Sequence, residues 1–152
     1  MIRKAVGAIV FQMDKLLVVH KIKMNTKKGK QPINGEWDFI KGGVEEEDKD
    51  VQHAILRELK EETGSGDFRI VKQLDDKICF NFPATVQEQI GYSSQETTMF
   101  LVEFIGDIEL LQPNDNEISE VAFIDLDKVN EVLTHQDTLD YFLRNEKEFK
   151  FN

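Results

Sequence analysis

Residues 37–65 read W-D-F-I-K-G-G-V-E-E-E-D-K-D-V-Q-H-A-I-L-R-E-L-K-E-E-T-G-S, and this stretch decides the fold. On a wheel of 3.6 residues per turn with Val51 at zero, Ala54, Ile55 and Leu59 fall within about 80° of it. They make an inward apolar stripe. Glu58 and Glu62 fall about 20° either side of zero, and Glu61 lies at the stripe's edge. Lys49, His53, Leu56 and Lys60 face the other way. The spacing predicts a helix over 50–63, with Gly64 as its C-terminal stop. Asp48 and Asp50 suit the positive end of that helix. Carboxylates on a half-buried face cost free energy unless a cation compensates them. A hard divalent cation with oxygen ligands is the natural candidate.

Working outward, residues 2–11 are rich in Ala, Val and Ile and read as a strand. Lys15–His20 is a second strand after a turn at Met13-Asp14. His20–Lys30 carries five lysines and no acid, and reads as an irregular anion-attracting loop. Glu36–Ile40 is a short strand that Gly42-Gly43 breaks. Downstream, Phe68–Leu74 and Lys77–Phe82 read as two strands turning at Asp75-Asp76, and Pro83 ends the second. A polar loop over 84–96 leads to the strand Thr97–Phe104. The segment Ile108–Leu111 precedes a strand at Glu120–Ile124, and two short helices run from there to Phe149, with a break near 134–137. Mixed strands, one internal helix and C-terminal helices imply an α+β fold, an α/β/α sandwich on a mixed β-sheet, with residues 1–152 as a single domain.

Composition narrows the function. A net charge of −10 disfavours indiscriminate nucleic-acid binding. The single cysteine, Cys79, excludes an internal disulfide and fits a reducing cytosol, so a cytoplasmic location and a buried structural thiol are expected. No apolar run approaches the ~20 residues needed to span a bilayer.

From Gly43 onward the chain resembles the Nudix box, G-x(5)-E-x(7)-R-E-U-x-E-E-x-G-U with U apolar. Gly43 and the run Arg57-Glu58-Leu59-Lys60-Glu61-Glu62-Thr63-Gly64 stand at the box spacing. Lys49 replaces the box glutamate, and Ser65 replaces an apolar residue. Glu46, Glu47 and Asp48 are each candidates to stand in for that glutamate. Outside the box, Trp37–Gly43 resembles the W-x-F-P-[QK]-G-G lead-in of the subgroup that hydrolyses dinucleoside polyphosphates or removes pyrophosphate from RNA 5′ ends. Phe80–Pro83, residues 94–101 and residues 116–123 resemble that subgroup's other motifs.

The resemblance implies a metal-dependent hydrolase that cleaves a P–O–P bond, with Mg2+ or Mn2+ held by Glu58, Glu61, Glu62 and Glu117. Arg57 would orient a box glutamate, and Glu58 or Glu117 would act as general base. Lys41, Gly43, Phe80 and Gln95 would contact substrate. The implied substrate is a nucleoside polyphosphate, either a dinucleoside polyphosphate or an RNA 5′ end. Two other readings stay open: a nucleoside triphosphate pyrophosphatase that removes damaged nucleotides, and a non-catalytic nucleotide sensor suggested by Lys49.

Overall fold

A computed structural model describes residues 1–149; positions 150–152 of the expected 1–152 domain lie outside the described residues. Seven strands form one mixed sheet: β1 (Ile2–Gln12), β2 (Lys15–Thr26), β3 (Gly29–Asp38), β4 (Ile40–Gly43), β5 (Phe68–Asn81), β6 (Ser94–Phe104) and β7 (Ile118–Asp125). Four helices accompany them: α1 (Val51–Thr63), α2 (Ala84–Ile90), α3 (Val129–Val132) and α4 (Gln136–Arg144). The main order is β3-β2-β1-β6-β5, with β4 added to β1 and β7 to β2. The β1–β6 pairing is parallel and the others are antiparallel.

The sheet forks. β1 and β2 share only the pairs Phe11↔Leu16 and Gln12↔Lys15 beside their turn. Beyond it β1 takes β4 as its neighbour, while β2 takes β7 and β3. The alternation along β1 then decides the layers. Val6, Ala8 and Val10 face α1, where they pack with Ala54, Ile55, Leu59 and Phe100. Ile9 and Met99 face the other way, under Tyr141 and Phe142 of α4 and Val129 of α3. The result is the expected α/β/α sandwich.

α1 begins one residue later than the wheel suggests, because Asp50 caps it by accepting a hydrogen bond from the His53 amide. Gly64 ends it at φ 75° and donates to the Lys60 carbonyl.

Five local expectations change. The strand read over Glu36–Ile40 is divided at Phe39, and Gly42-Gly43 continue β4 in pairing with β1 rather than breaking it. The lysine-rich stretch is a β-hairpin: β2 continues to Thr26 and β3 starts at Gly29, pairing across a bulge between Lys21 and Lys23. The two strands proposed for 68–82 are one, because Asp75-Asp76 forms an irregularity inside β5 rather than a turn. There Asp76 accepts from Arg144 and Asn145 of the C-terminal segment. The polar loop contains α2, closed by Gly91. Cys79 is exposed, not buried, since the alternation of β5 turns Ile78 inward and Cys79 outward. Among the described residues no helix is long and apolar enough to cross a membrane.

The left-handed Gly64 cap has a measurable consequence. In Gly64→Ala the new Cβ would sit in a disfavoured conformation, 3.3 Å from Asn114 Oδ1. Thermal unfolding should show a loss of about 1–2 kcal/mol, a fall in Tm of a few degrees. An unchanged Tm would mean that this cap contributes nothing to stability.

Candidate active site

The acids of α1 converge as the wheel implies, but each in a different environment. Glu62 is 1 % exposed, and its Oε2 is buried with no hydrogen-bond partner. The Glu58 side chain is 12 % exposed and Glu61 is 49 % exposed. Burial pushes the Glu58 carboxyl up to about 7, a rise opposed by Arg57 and reinforced by Glu61. Burial also raises Glu62 well above the usual carboxylate range; Lys21 opposes that rise, while Glu58 and Glu117 add to it. Two of the three α1 carboxyls are therefore held in surroundings that disfavour their charge.

Arg57 binds this group together. Its Nη1 donates to Glu58 Oε1 at 3.0 Å and to Glu61 Oε2 at 3.2 Å. Its Nη2 donates to the Gly43 carbonyl at 3.0 Å and to Asp48 Oδ2 at 2.9 Å, and its Nε donates to Asp48 Oδ1 at 2.9 Å. The expected link from Arg57 to Glu61 is present, and so is one to Glu58.

Glu117 reaches the group by an unexpected route. The loop before β7 docks on the C-terminus of α1, where Asn114 donates its amide to the Glu62 carbonyl and its side chain to the Glu61 carbonyl. The lysine hairpin grips the same loop. Lys30 Nζ lies 3.4 Å from Glu117 Oε1 and donates to Asn116 Oδ1 at 2.9 Å. Lys21, half-buried on β2, also faces the acids. Burial lowers its pKa, but Asp38, Glu62 and Glu117 outweigh that and raise it. Sequence reasoning missed Asn114, Lys21 and Lys30 as site residues. A run of lysines near an acidic helix was the available signal for the last two.

The substrate residues inferred from the sequence lie on the opposite face of the sheet. Gln95 is buried, accepting from Arg3 Nη1 at 2.6 Å and donating to Thr97 at 3.2 Å. Phe80 stands beside it, edge-on to Phe82 and packed on the cluster under α4, while an open cleft of about 230 Å³ at these strand ends is lined also by Ile2, Cys79, Asn81, Ser94 and Glu96, whose side chains alternate to the α1 side. Lys41 also points away from the carboxylates. It is buried, with Nζ shared between Asp38 Oδ1 at 3.1 Å and Thr138 Oγ1 of α4 at 2.6 Å, and burial lowers its pKa. Gly42 and Gly43 of β4 lie between the two faces. A Cβ on Gly42 would fall 2.0 Å from Glu58 Cδ, and one on Gly43 would fall 2.8 Å from Arg3 Nη2.

Among the described residues no three His, Cys, Asp or Glu side chains already form a metal cage. Mg2+ does not demand one: it keeps several waters and takes one or two carboxylates plus substrate phosphates. The unpartnered Glu62 Oε2 is the feature that fits such an ion, because a buried carboxylate oxygen without a donor is costly and a cation relieves it.

Known proteins resemble this chain in sequence and in fold. The family model described as the NUDIX domain matches residues 1–145. The RNA pyrophosphohydrolase of Bartonella bacilliformis is 30% identical over 129 residues, covering 81% of this chain and 74% of that protein. Among solved structures, a MutT protein from Methanosarcina mazei superposes with a TM-score of 0.73 at 18% identity, covering 99% of this chain and 96% of that one. A C. elegans Ap4A hydrolase gives 0.65 at 16% identity, covering 97% and 96%.

The raised acids set a sign for stability. Between 4.5 and about 7 the folded protein keeps a proton on Glu58 that the unfolded chain has released. Stability without metal should therefore fall as pH rises through that window. Asp48, whose pKa Arg57 depresses, acts only at lower pH. In metal-free protein Tm should drop from about pH 5 to about pH 8, and Glu62→Gln should flatten the drop and raise Tm at the upper end. A Glu62→Gln protein less stable than the parent at about pH 8 would contradict the assignment.

Proposed function

The chain belongs to the NUDIX family, and from that membership we propose a metal-dependent pyrophosphohydrolase whose preferred substrate is an RNA 5′ end or a dinucleoside polyphosphate. The observation that carries the reading is the α1 acid face, where burial disfavours the charge of two carboxyls and one buried oxygen, Glu62 Oε2, lacks any partner.

Glu58, Glu61, Glu62 and Glu117 would hold Mg2+ or Mn2+. When bound, such an ion neutralises phosphate charge and lowers the pKa of a coordinated water. The chain's own residues supply the rest. Arg57 holds Glu58 and Glu61 in place. Water attacks a phosphorus, the bond from that phosphorus to the bridging oxygen breaks, and the water's proton passes to a carboxylate. Glu58 or Glu117 would accept that proton. Lys21 and Lys30 add positive charge beside the acids for the phosphate chain.

The cleft at the ends of β1, β5 and β6, beside Phe80 and Gln95, would receive the nucleoside, with the ring of Phe80 offering a stacking surface. Gly43 would lie beside the acids through its carbonyl, and Lys41, held by Asp38 and Thr138, would brace β4 behind them. The relatives named as RNA pyrophosphohydrolases favour the RNA end; the motifs of residues 37–43 and 80–83 are shared by both substrate classes.

The test is a substrate panel with Mg2+: triphosphorylated RNA, dinucleoside polyphosphates, oxidised nucleoside triphosphates and sugar nucleotides. Turnover should be greatest on one of the first two. Glu61→Gln and Glu62→Gln should each cut it by about two orders of magnitude or more with the fold intact. Retained activity in both variants would remove the metal assignment. Tight nucleotide binding with no turnover of any substrate would favour the sensor reading that Lys49 suggests.

A further inference from the structure

The loop feeding α1 contains five acids at 45–50 around a lysine at 49, and the structure gives them unequal work. Lys49, Glu46 and Glu47 are exposed. Glu45 lies 3.6 Å from Arg57 but its side chain is 55 % exposed. Asp50 is occupied as the helix cap. Asp48 alone has a fully buried side chain. Its Oδ1 accepts from Arg57 Nε and its Oδ2 from Arg57 Nη2, both at 2.9 Å. Oδ2 also accepts the Glu45 amide at 2.8 Å, and His53 Nδ1 lies 3.1 Å from Oδ1. The carboxylate is thus anchored from two sides besides the guanidinium.

A guanidinium has five N–H donors in a rigid plane. In Arg57 all five are assigned: two to Asp48, one to the Gly43 carbonyl, one to Glu58 and one to Glu61. The fork formed by Nε and Nη2 is the edge best suited to a bidentate carboxylate, and Asp48 occupies it. Only Nη1 is left for the α1 acids, so each receives a single bond. Glu58 Oε2 and Glu61 Oε1 remain outside the grip of Arg57. Without Asp48, the same fork would be open to Glu58 or Glu61, and a bidentate pair there would withdraw both oxygens of one carboxylate from other use.

We propose that Asp48 is the positioning residue of this site: by occupying the fork of Arg57 it limits Arg57 to one hydrogen bond with each of Glu58 and Glu61, and keeps their second oxygens available to a divalent cation. The inference rests on the metal-dependent reading above. It also gives Lys49 a meaning. The acid that secures the site stands one residue earlier, and the lysine is a solvent-facing neighbour rather than a lesion in the metal site.

The experiment reads Mn2+ binding to the metal-free protein by the loss of the free-ion EPR signal, alongside turnover and melting. Asp48→Asn keeps the side chain's shape but cannot accept both Arg57 donors. It should weaken Mn2+ binding by about tenfold or more and lower kcat while KM moves within about twofold. Lys49→Glu, at an exposed position, should bind Mn2+ and turn over within about twofold of the parent. The proposal is overturned by an Asp48→Asn protein that binds Mn2+ as the parent does. It is equally overturned by a Lys49→Glu protein that gains about tenfold in either property, since that would show the site lacking an acid at 49. If Asp48→Asn fails to fold, Asp48→Ser takes its place in the same Mn2+ titration, and parent-like binding there overturns the proposal. A parent that binds Mn2+ yet hydrolyses no substrate would defeat the proposed function while leaving the Mn2+ comparison to decide the role of Asp48.

Discussion

The structure depends on a debt taken on by one helix: α1 turns Glu58 and Glu62 toward the sheet along with Ala54, Ile55 and Leu59. An apolar residue at 62 would make the helix a plain amphipathic strut. The carboxyl there loses its hydration and finds no donor for Oε2. Nothing in folding alone recommends that arrangement, and metal-free protein answers it by raising the affinity of the acids for protons. A cation of higher charge that must meet phosphate at the same place is the simplest reason to maintain it.

The surroundings of α1 are built around that debt. Fixed positive charge is placed near the acids without neutralising them: Arg57 is shared among three carboxylates and a carbonyl, and Lys21 raises no direct pair with Glu62 among the contacts within ion-pair distance. The loop carrying Glu117 is attached through backbone groups at the helix end, by way of Asn114. Those carbonyls would otherwise be left unsatisfied at the C-terminus of a helix. The same two bonds thus finish α1 and deliver a further carboxylate to it.

Much of this was legible in the sequence, and the reasons differ by scale. The period of α1 and its Gly64 stop are local properties, and so the helix and the face carrying the acids could be read directly. The layers were expected from the order of strands and helices, and alternation along β1 and β6 shows how they form. What could not be read depends on partners distant in the chain. Asp75-Asp76 looks like a turn until Arg144 and Asn145 are available to hold Asp76 inside a continuous strand. The lysine run looks irregular because its charges mask a strand that pairs back on itself across a bulge. Lys41 reads as a free cation, and only the tertiary fold supplies Asp38 and Thr138 to occupy it. Asp48 is one acid among several in sequence and is singled out only by where Arg57 lies.

The last constraint is geometric. The acids stand on one face of the sheet, while Arg3, Gln95 and Phe80 stand on the other, and β4 runs between them. A strand normally presents a side chain to each face and would wall one set off from the other. β4 ends in two glycines, and each is denied a side chain by a different face: Glu58 occupies the space beside Gly42, and Arg3 the space beside Gly43. The Gly43 carbonyl, free of any side chain of its own residue, is then close enough to accept from Arg57. The glycine pair therefore does more than end a strand. It lets the Glu58 and Arg3 side chains approach β4 from opposite faces while the strand keeps its pairing to β1.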